Sequence, residues 1–466
     1  MICLPFIKYI SQKISIASFL LVLFSTFFIN SNLFPQEVAG YYTSWSNIPP
    51  ANSIDFKNLT MIIHAFASPN PDGTVGISDG IPNLALIEAV HTANKKILIS
   101  FGGAGDTLGF YYIAADTAIM TKFINNAFNF IRTNNYDGID IDWEFPNKSQ
   151  SAPLTALIKG LRQKFNTVDT SLIITMAIPA SGSNAQYFQF SNLVNYVNWF
   201  SIMAYDYYGS WSNTSGPNAP LYQSPLDPNQ VGAGYSSITN MIRRGIAIPK
   251  NKLLFGMPFY GKEFNAPGLY KKKTGNVVDL NYSQINDSLY SGNWKYYWDN
   301  VSDVPYLINK DATRFITYDD TNSIKIKTEL VKSLGLGGVM IWALGLDYVP
   351  RYHDILLQTI GNTLFNNNPS LVSNIVQKDY SFYLSNNYPN PFNPSTKIEF
   401  SIPNNGFVSL KVYNILGQVI STLVNSKVSM GYHQVEFNGD RLSSGIYFYV
   451  LTFNGFNQIK KMMLLK

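Results

Sequence analysis

From Val38 onward, short runs of apolar, β-branched and aromatic residues alternate with longer stretches in which apolar positions recur every three or four residues. The first pattern predicts buried strands and the second predicts amphipathic helices. Strands are expected at Val38–Tyr42, Thr60–Ala67, Lys96–Gly102, Gly138–Glu144, Leu172–Ile178, Trp199–Tyr205, Leu253–Phe259 and Gly338–Trp342. Helices are expected at Asn83–Asn94, Ala115–Thr133, Pro153–Val168, Ser236–Arg244, Asn322–Leu334 and Arg351–Leu364. Eight strand-and-crossover units within residues 37–365 point to a (β/α)8 TIM barrel, an α/β fold whose parallel strands close on themselves. The longest gap separates the seventh and eighth strands. There, residues 262–312 carry Tyr, Trp and turn residues rather than a helical period, which predicts a small insertion walling one side of a cleft.

Beyond the barrel the pattern changes twice. Residues 366–380 are polar and Asn-rich, as a linker would be, and residues 381–466 alternate apolar and polar positions between turns such as "NILGQ", "NGD" and "SSG". That period of two predicts a small all-β sandwich. At the other end, Lys8 and Lys13 flank the start of an apolar run from Ile14 to Ile29. Residues 1–36 therefore read as a secretory signal peptide, with cleavage expected between Asn30 and Gln36. The apolar run is shorter than the ~20 residues a spanning helix needs, so no stable membrane span is expected.

Composition narrows the chemistry. Hydrophobic residues make up 46% of the 466 residues and charged residues 14%, which argues for ordered, folded domains. The net charge of +5 is small and the basic residues are scattered, which excludes a nucleic-acid stripe. The single cysteine, Cys3, lies in the expected signal segment, so no disulfide or thiol chemistry is expected in the mature chain. The four histidines are far apart in sequence, and neither a metal nor a cofactor is indicated. Aromatics at 15% would suit a surface on which sugars stack, though large cores use them too.

The segment "YDGIDIDWEFP", Tyr136 to Pro146, sets four acids in a run that should be core. Side chains alternate faces along a strand, so Asp140, Asp142 and Glu144 point one way and Ile139, Ile141 and Trp143 the other. Asp137 has the opposite parity and is expected just before the strand in a structural role. In a barrel the acid trio faces the lumen. Burying unpaired carboxylates is costly, so three on one face must share protons or bind something. Crowding and poor solvation raise at least one proton affinity and couple the titrations. Glu144 lies at the carboxyl end of its strand, where barrel enzymes do their chemistry, and is the expected general acid. The bland alternative is a hard-cation site or a buried ion-pair network; such cation sites usually draw ligands from several segments, and no second acidic pattern converges here.

With these residues in view, "DGIDIDWEFP" resembles the signature of family 18 glycoside hydrolases, the chitinase family. "GYYTSWS", "HAFA", "SFGG", "MAYDYYGSW" with "NAPLY", "GMPFYG" and "GLGGVMIWAL" resemble the other strand ends of that family, in the same order. The resemblance covers about residues 37–360. It implies substrate-assisted hydrolysis of β-1,4-linked N-acetylglucosamine polymers such as chitin. Glu144 would protonate the glycosidic oxygen while the sugar's own 2-acetamido carbonyl attacks the anomeric carbon, giving an oxazolinium intermediate and retention. Asp142 would orient the acetamido N–H, Tyr205 would fix its carbonyl, and Asp140 would share a proton with Asp142, backed by Tyr41 and Ser100. Trp342 would floor the cleavage subsite. Met203, Asp206, Phe66, Tyr260, Gly102 and Gly103 would line it, and Trp211 would serve as a sugar platform or lid.

Two positions depart from the pattern. Ala104 stands where many relatives place a Trp that stacks the leaving-group sugar, and Lys262 stands where an Arg often follows the strand-seven motif. The acid machinery is intact, which weighs against a non-catalytic glycan-binding surface protein; an endo-β-N-acetylglucosaminidase acting on glycoprotein glycans or peptidoglycan is the other enzyme reading. The tail, with "YPNPFNPSTKIEFSIP", "LSSGIYFYVL" and "KKMMLLK", resembles the C-terminal sorting domain of the type IX secretion system. That resemblance implies a secreted or surface-attached protein whose partner is the secretion machinery. A carbohydrate-binding module is the rival reading of the tail.

Overall fold

The computed structural model describes residues 36–466 apart from 47–48, 106–107, 181, 244–247, 350–352, 366–382, 385–386, 388, 403–405 and 429–430. The expected linker, and the expected signal segment up to residue 35, lie outside the described residues. The chain divides into two units, Met1–Asn368 and Pro369–Lys466.

The first unit is built on eight parallel strands: β1 (Glu37–Thr43), β2 (Met61–Pro69), β3 (Lys96–Gly102), β4 (Gly138–Asp142), β5 (Ile173–Pro179), β6 (Trp199–Met203), β7 (Leu253–Pro258) and β8 (Gly338–Trp342). Each pairs with its sequence neighbour and β1 pairs with both β2 and β8, so the sheet closes into a barrel. All eight expected strands are present. Three end earlier than expected: β7 stops at Pro258, β4 at Asp142 and β6 at Met203, the last two leaving Glu144 and Tyr205 just beyond the strands, on the loops at the barrel mouth.

Helices α1 (Leu84–Thr92), α2 (Leu108–Ala115), α3 (Thr117–Thr133), α4 (Ser151–Asn166), α5 (Gly234–Arg243), α6 (Tyr282–Tyr290), α7 (Thr321–Leu334) and α8 (Ile355–Phe365) complete this unit, with shorter helical turns between β5 and β6. Side-chain caps fix several starts: Asn83 accepts from Leu86 N, Asp116 from Ala118 N and Ile119 N, and Asp320 from Asn322 N and Ser323 N. Such caps satisfy amide donors that have no partner within the helix. The alternation along the strands produces two apolar layers. Ile99, Ile139, Ile141, Leu157 and Leu161 belong to the layer between sheet and helices, whereas Tyr41, Met61, Ile63, Leu98, Leu254 and Met340 fill the lumen.

The insertion differs from expectation. Strands Tyr260–Asn265, Thr274–Asn281, Trp294–Asp299, Val304–Asn309 and Phe315–Thr317 form a five-stranded antiparallel sheet, and α6 lies among them. The segment is therefore longer than residues 262–312 and contains a helix where none was expected. The reason is local: Asn281 and Gln284 form a reciprocal capping box, and Tyr282 and Ile285 bury one face of α6.

In the second unit, Tyr383–Leu384, Ser395–Ile402 and Gly431–Asn438 form one antiparallel sheet. Gly406–Tyr413, Val419–Val428, Gly445–Phe453 and Phe456–Leu464 form another. Both contribute to a single core that includes Ile398, Phe400, Val408, Leu410, Tyr449 and Leu451. This is the all-β sandwich expected from the period-two pattern. Among the described residues Phe392, Phe400, Phe437, Tyr447, Tyr449 and Phe453 are inside, with Phe407 and Phe456 exposed.

Candidate active site

Register places the acids. In the β3–β4 ladder Ser100 lies opposite Asp140 and Gly102 opposite Asp142, and in the β4–β5 ladder Asp140 lies opposite Thr175. Both aspartates are buried, and Ile139, Ile141 and Trp143 pack outward, with Trp143 stacked on Phe110 of α2 at 5.1 Å. The face assignment made from alternation therefore holds in the structure. Asp137 precedes β4, as expected. Its carboxylate accepts from Lys96 Nζ at 2.9 Å and Ile97 N at 2.9 Å and lies 3.0 Å from His91 Nε2.

Asp140 is held by three hydroxyls. Tyr41 Oη and Ser100 Oγ donate to its Oδ2 at 2.8 and 2.6 Å, and Thr175 Oγ1 donates to Oδ1 at 2.6 Å. Burial raises its proton affinity and these hydroxyl donors oppose the rise. Tyr41 and Ser100, both named from the sequence, are two of these three donors. Thr175 was not singled out from sequence, although one hydroxyl in the apolar strand "IITMAIP" is a signal of sorts. In this structure the donors on Asp140 are these hydroxyls rather than Asp142.

Asp142 has a different environment. Its Oδ1 is buried and has no hydrogen-bond partner. Burial first, then the charges of Glu144 and Asp140, hold its proton affinity well above the usual carboxylate range. Glu144 is half-buried at the mouth, and its proton affinity is raised by burial and by the charge of Asp206. The trio thus grades from a well-solvated-by-hydroxyl member deep in the lumen to a protonatable member at the rim.

The glycines after β3 are explained by contact. Gly102 has φ 109°, and a Cβ there would meet Asp142 O at 2.2 Å. Gly103 has φ 90°, donates its N–H to Asp142 O at 2.9 Å, and would drive a Cβ into the Phe66 ring at 2.6 Å. Only glycine fits such a backbone without strain. Ala104, the departure from the family pattern, is exposed just beyond.

Aromatic side chains floor and flank the acids. Trp342 ends β8, lies 5.1 Å from Tyr41, and stacks on Phe66 at 5.7 Å with the planes 22° apart. Phe66 in turn stacks on Trp45 at 6.1 Å, and the Trp45 side chain is exposed. Phe66, Met203, Tyr205 and Trp342 all pack on the lumenal layer. Tyr205 Oη lies 3.8 Å from Met340 Sδ, and burial plus the Asp142 and Asp206 charges push its ionisation well above the ordinary range, so it stays a hydroxyl donor. Trp45 was part of a quoted motif but was not assigned to the site from sequence.

A second group joins the barrel mouth to the insertion. Asp206 adopts φ 59°, receives a 2.6 Å hydrogen bond from Tyr260 Oη on its carboxylate, and donates its own N–H to Asn218 Oδ1 at 3.3 Å. Lys262 Nζ lies 2.9 Å from Asp206 Oδ1. Trp211 is exposed at the rim beside Lys262. Among the described residues no three His, Cys, Asp or Glu side chains form a group that could hold a metal ion. No helix among them is long and apolar enough to cross a membrane.

Comparison with known proteins agrees with this architecture. The sequence profile of glycosyl hydrolases family 18 matches residues 37–347, and that of the secretion system C-terminal sorting domain matches residues 386–465. The chain is 31% identical to Chitinase A1 of Niallia circulans over 54% of its own length and 41% of that protein's. It is 30% identical to a class V chitinase of Lotus japonicus over 66% of its own length and 82% of the relative's. Thus it spans about two-fifths of the first relative and most of the second. Among solved structures, the Group IV chitinase of Ostrinia furnacalis in complex with allosamidin superposes with a TM-score of 0.66 at 24% identity, covering 71% of this chain and 98% of that one. A closed parallel barrel, an acid-lined mouth and a profile match over most of the first unit converge: the chain belongs to family 18 of the glycosyl hydrolases.

Proposed function

We propose that the protein is a secreted, retaining chitinase that cleaves β-1,4-linked N-acetylglucosamine polymers with the substrate's own acetamido group as nucleophile. The observation that carries this reading is the buried, unpartnered Oδ1 of Asp142 beside a protonatable Glu144. A buried acceptor without a donor is costly, and an acetamido N–H entering the pocket removes that cost while being oriented for attack. The same contact strengthens as the acetamido nitrogen gains positive charge, so it favours the transition state over the bound substrate. Glu144 gives its proton to the leaving oxygen and then accepts one from the incoming water. Tyr205 donates to the acetamido carbonyl, and burial, with the charges of Glu144 and of the hydroxyl-fixed Asp140, makes Asp142 hold a proton more tightly than an ordinary carboxylate. Trp342 floors the sugar, with Phe66 and Trp45 continuing the aromatic surface outward. Gly102 and Gly103 shape the wall beside Phe66, and Met203, Asp206, Tyr260 and Trp211 line the cleft.

The sorting tail routes the protein through the type IX secretion machinery after an N-terminal signal segment delivers it across the inner membrane. Incubating the purified protein with chitin oligosaccharides, a high-mannose glycopeptide and peptidoglycan tests the assignment. Products from the chitin oligosaccharides alone are expected. Cleavage confined to the glycopeptide or the peptidoglycan would replace it with an endo-β-N-acetylglucosaminidase, and no product from any substrate would leave a glycan binder.

A further inference from the structure

Lys262 has no part in the proton chemistry described above, yet its side chain is only 4% exposed. Lysine is almost never buried to this degree unless its charge is paired. Here the ammonium lies 2.9 Å from Asp206 Oδ1 and 2.8 Å from Asp279 Oδ1. It also lies 5.2 Å from the centroid of the Tyr260 ring and 5.5 Å from that of Trp211. These partners come from three places in the chain. Asp206 and Trp211 follow β6, Tyr260 and Lys262 open the insertion sheet, and Asp279 sits opposite Lys262 on the neighbouring insertion strand. Trp211 is 63% exposed, and a Cβ at Gly209 would meet its ring at 2.5 Å, so the indole folds back over its own turn beside the ammonium.

We propose that Lys262 is a positioning residue for the reaction: one ammonium ties Asp206 to the insertion strand through Asp279 and seats the exposed Trp211 ring at the rim of the cleft. This rests on the reading of the barrel as a glycan hydrolase. A lysine suits the task because its compact charge and three donors can serve two carboxylates while the adjacent ring faces stabilise it. Asp206 is also the charge that acts on Glu144, so the counter-charge on Lys262 reaches the acid indirectly. Glu144 faces Asp142, Asp206 and Tyr205; Lys262 faces Asp206, Asp279 and Tyr260, while the next residue, Glu263, is turned to Arg314. Removing the ammonium leaves the negative field of Asp206 uncompensated, which makes Glu144 hold its proton to higher pH. The stem of the side chain is not needed for that effect, only its charge.

The experiment compares wild type, K262M, K262R, D279N, W211F and the K262M/W211F double variant on N-acetylglucosamine hexamer across pH. K262M is expected to raise KM by roughly five-fold, the size of a ring-and-charge contact, and to move the alkaline limb of the profile upward. K262R is expected to restore both, and D279N to reproduce part of the K262M effect. In the double variant the rise in KM is expected not to exceed that of W211F alone by more than about two-fold, because the two residues act as a unit. Unchanged KM and an unmoved alkaline limb in K262M overturn the proposal, as does a rise in KM that simply multiplies in the double variant. A lowered Tm with wild-type kinetics also counts against it, since that is a structural role alone. If the wild type cleaves none of the oligosaccharides, the functional reading fails instead. The contact is then judged by tryptophan emission, which K262M should change in wild type but not in W211F; a change that persists in W211F overturns it.

Discussion

Asp142 and Glu144 are two residues apart, and the proposed mechanism gives them different jobs because their surroundings differ. Asp142 is enclosed, with one oxygen unpartnered, whereas Glu144 is half-buried at the rim. Glu144→Gln removes the proton donor with little change in volume. Turnover of chitin oligosaccharides is expected to fall by at least about 10³-fold, while oligosaccharide affinity measured by calorimetry stays within roughly three-fold of wild type. Near-normal rates would remove Glu144 from its role. Asp142 also yields a stability prediction whose sign follows from burial. Its proton affinity is raised in the folded protein, so the native state binds that proton more tightly than the unfolded chain does. The associated stability is fully present at low pH and is lost as pH rises through the folded value. Asp142→Asn abolishes that loss. Its Tm is expected to exceed the wild-type value by about 2–4 °C in alkaline buffer and by less in acid, alongside severely slowed hydrolysis. An equal or lower Tm at alkaline pH would show that the buried carboxylate is not strained. At this scale the sequence was most informative: alternation alone put Asp140 and Asp142 on the lumenal side and Trp143 against the helices. It could not supply Thr175 as a partner of Asp140, because that contact depends on the β4–β5 register, which no single strand encodes.

The barrel strands were legible as elements because each carries a run of buried apolar residues, and the longer helices because they repeat over several turns. Short elements were not. The helix α6 spans nine residues and the insertion strands carry half-exposed alternations, so neither period accumulates enough turns to stand out. For the same reason Lys262 could be noticed as an unusual residue but not matched to Asp279, whose pairing exists only once the insertion sheet forms. The end of the barrel shows how an element can be tied to pH. Asp347 Oδ2 accepts from Leu356 N at 3.0 Å and Leu357 N at 3.1 Å, which caps the start of α8. Burial, reinforced by the nearby Asp354 charge, pushes the Asp347 carboxyl up to about 8. A raised acid favours the fold at low pH and ceases to do so as pH climbs through that value, so the docking of α8 should weaken above about pH 8. Asp347→Asn keeps the acceptor and removes the charge. Thermal melts of this variant between pH 6 and 10 are expected to decline less steeply than wild type; parallel curves would exclude Asp347 as the source.

At the scale of the whole molecule there are two units with separate cores, and on the reading proposed above the barrel binds and cuts glycan while the sandwich addresses the chain to its export route. Protein truncated after residue 368 is therefore expected to hydrolyse soluble oligosaccharides at a rate within about two-fold of the full chain, since the acids, their hydroxyl partners and the aromatic floor all belong to the first unit. In cells carrying the type IX system the same truncation is expected to abolish appearance in the medium. A secreted truncated protein would show that the tail is dispensable for export. The account as a whole stands or falls on the source of the nucleophile, and the most direct measurement is a side-by-side rate comparison on N-acetylglucosamine hexamer and on the β-1,4-linked glucose hexamer, which lacks the 2-acetamido group. Cleavage of the first and none detectable of the second is the predicted result. Comparable rates on both would contradict it.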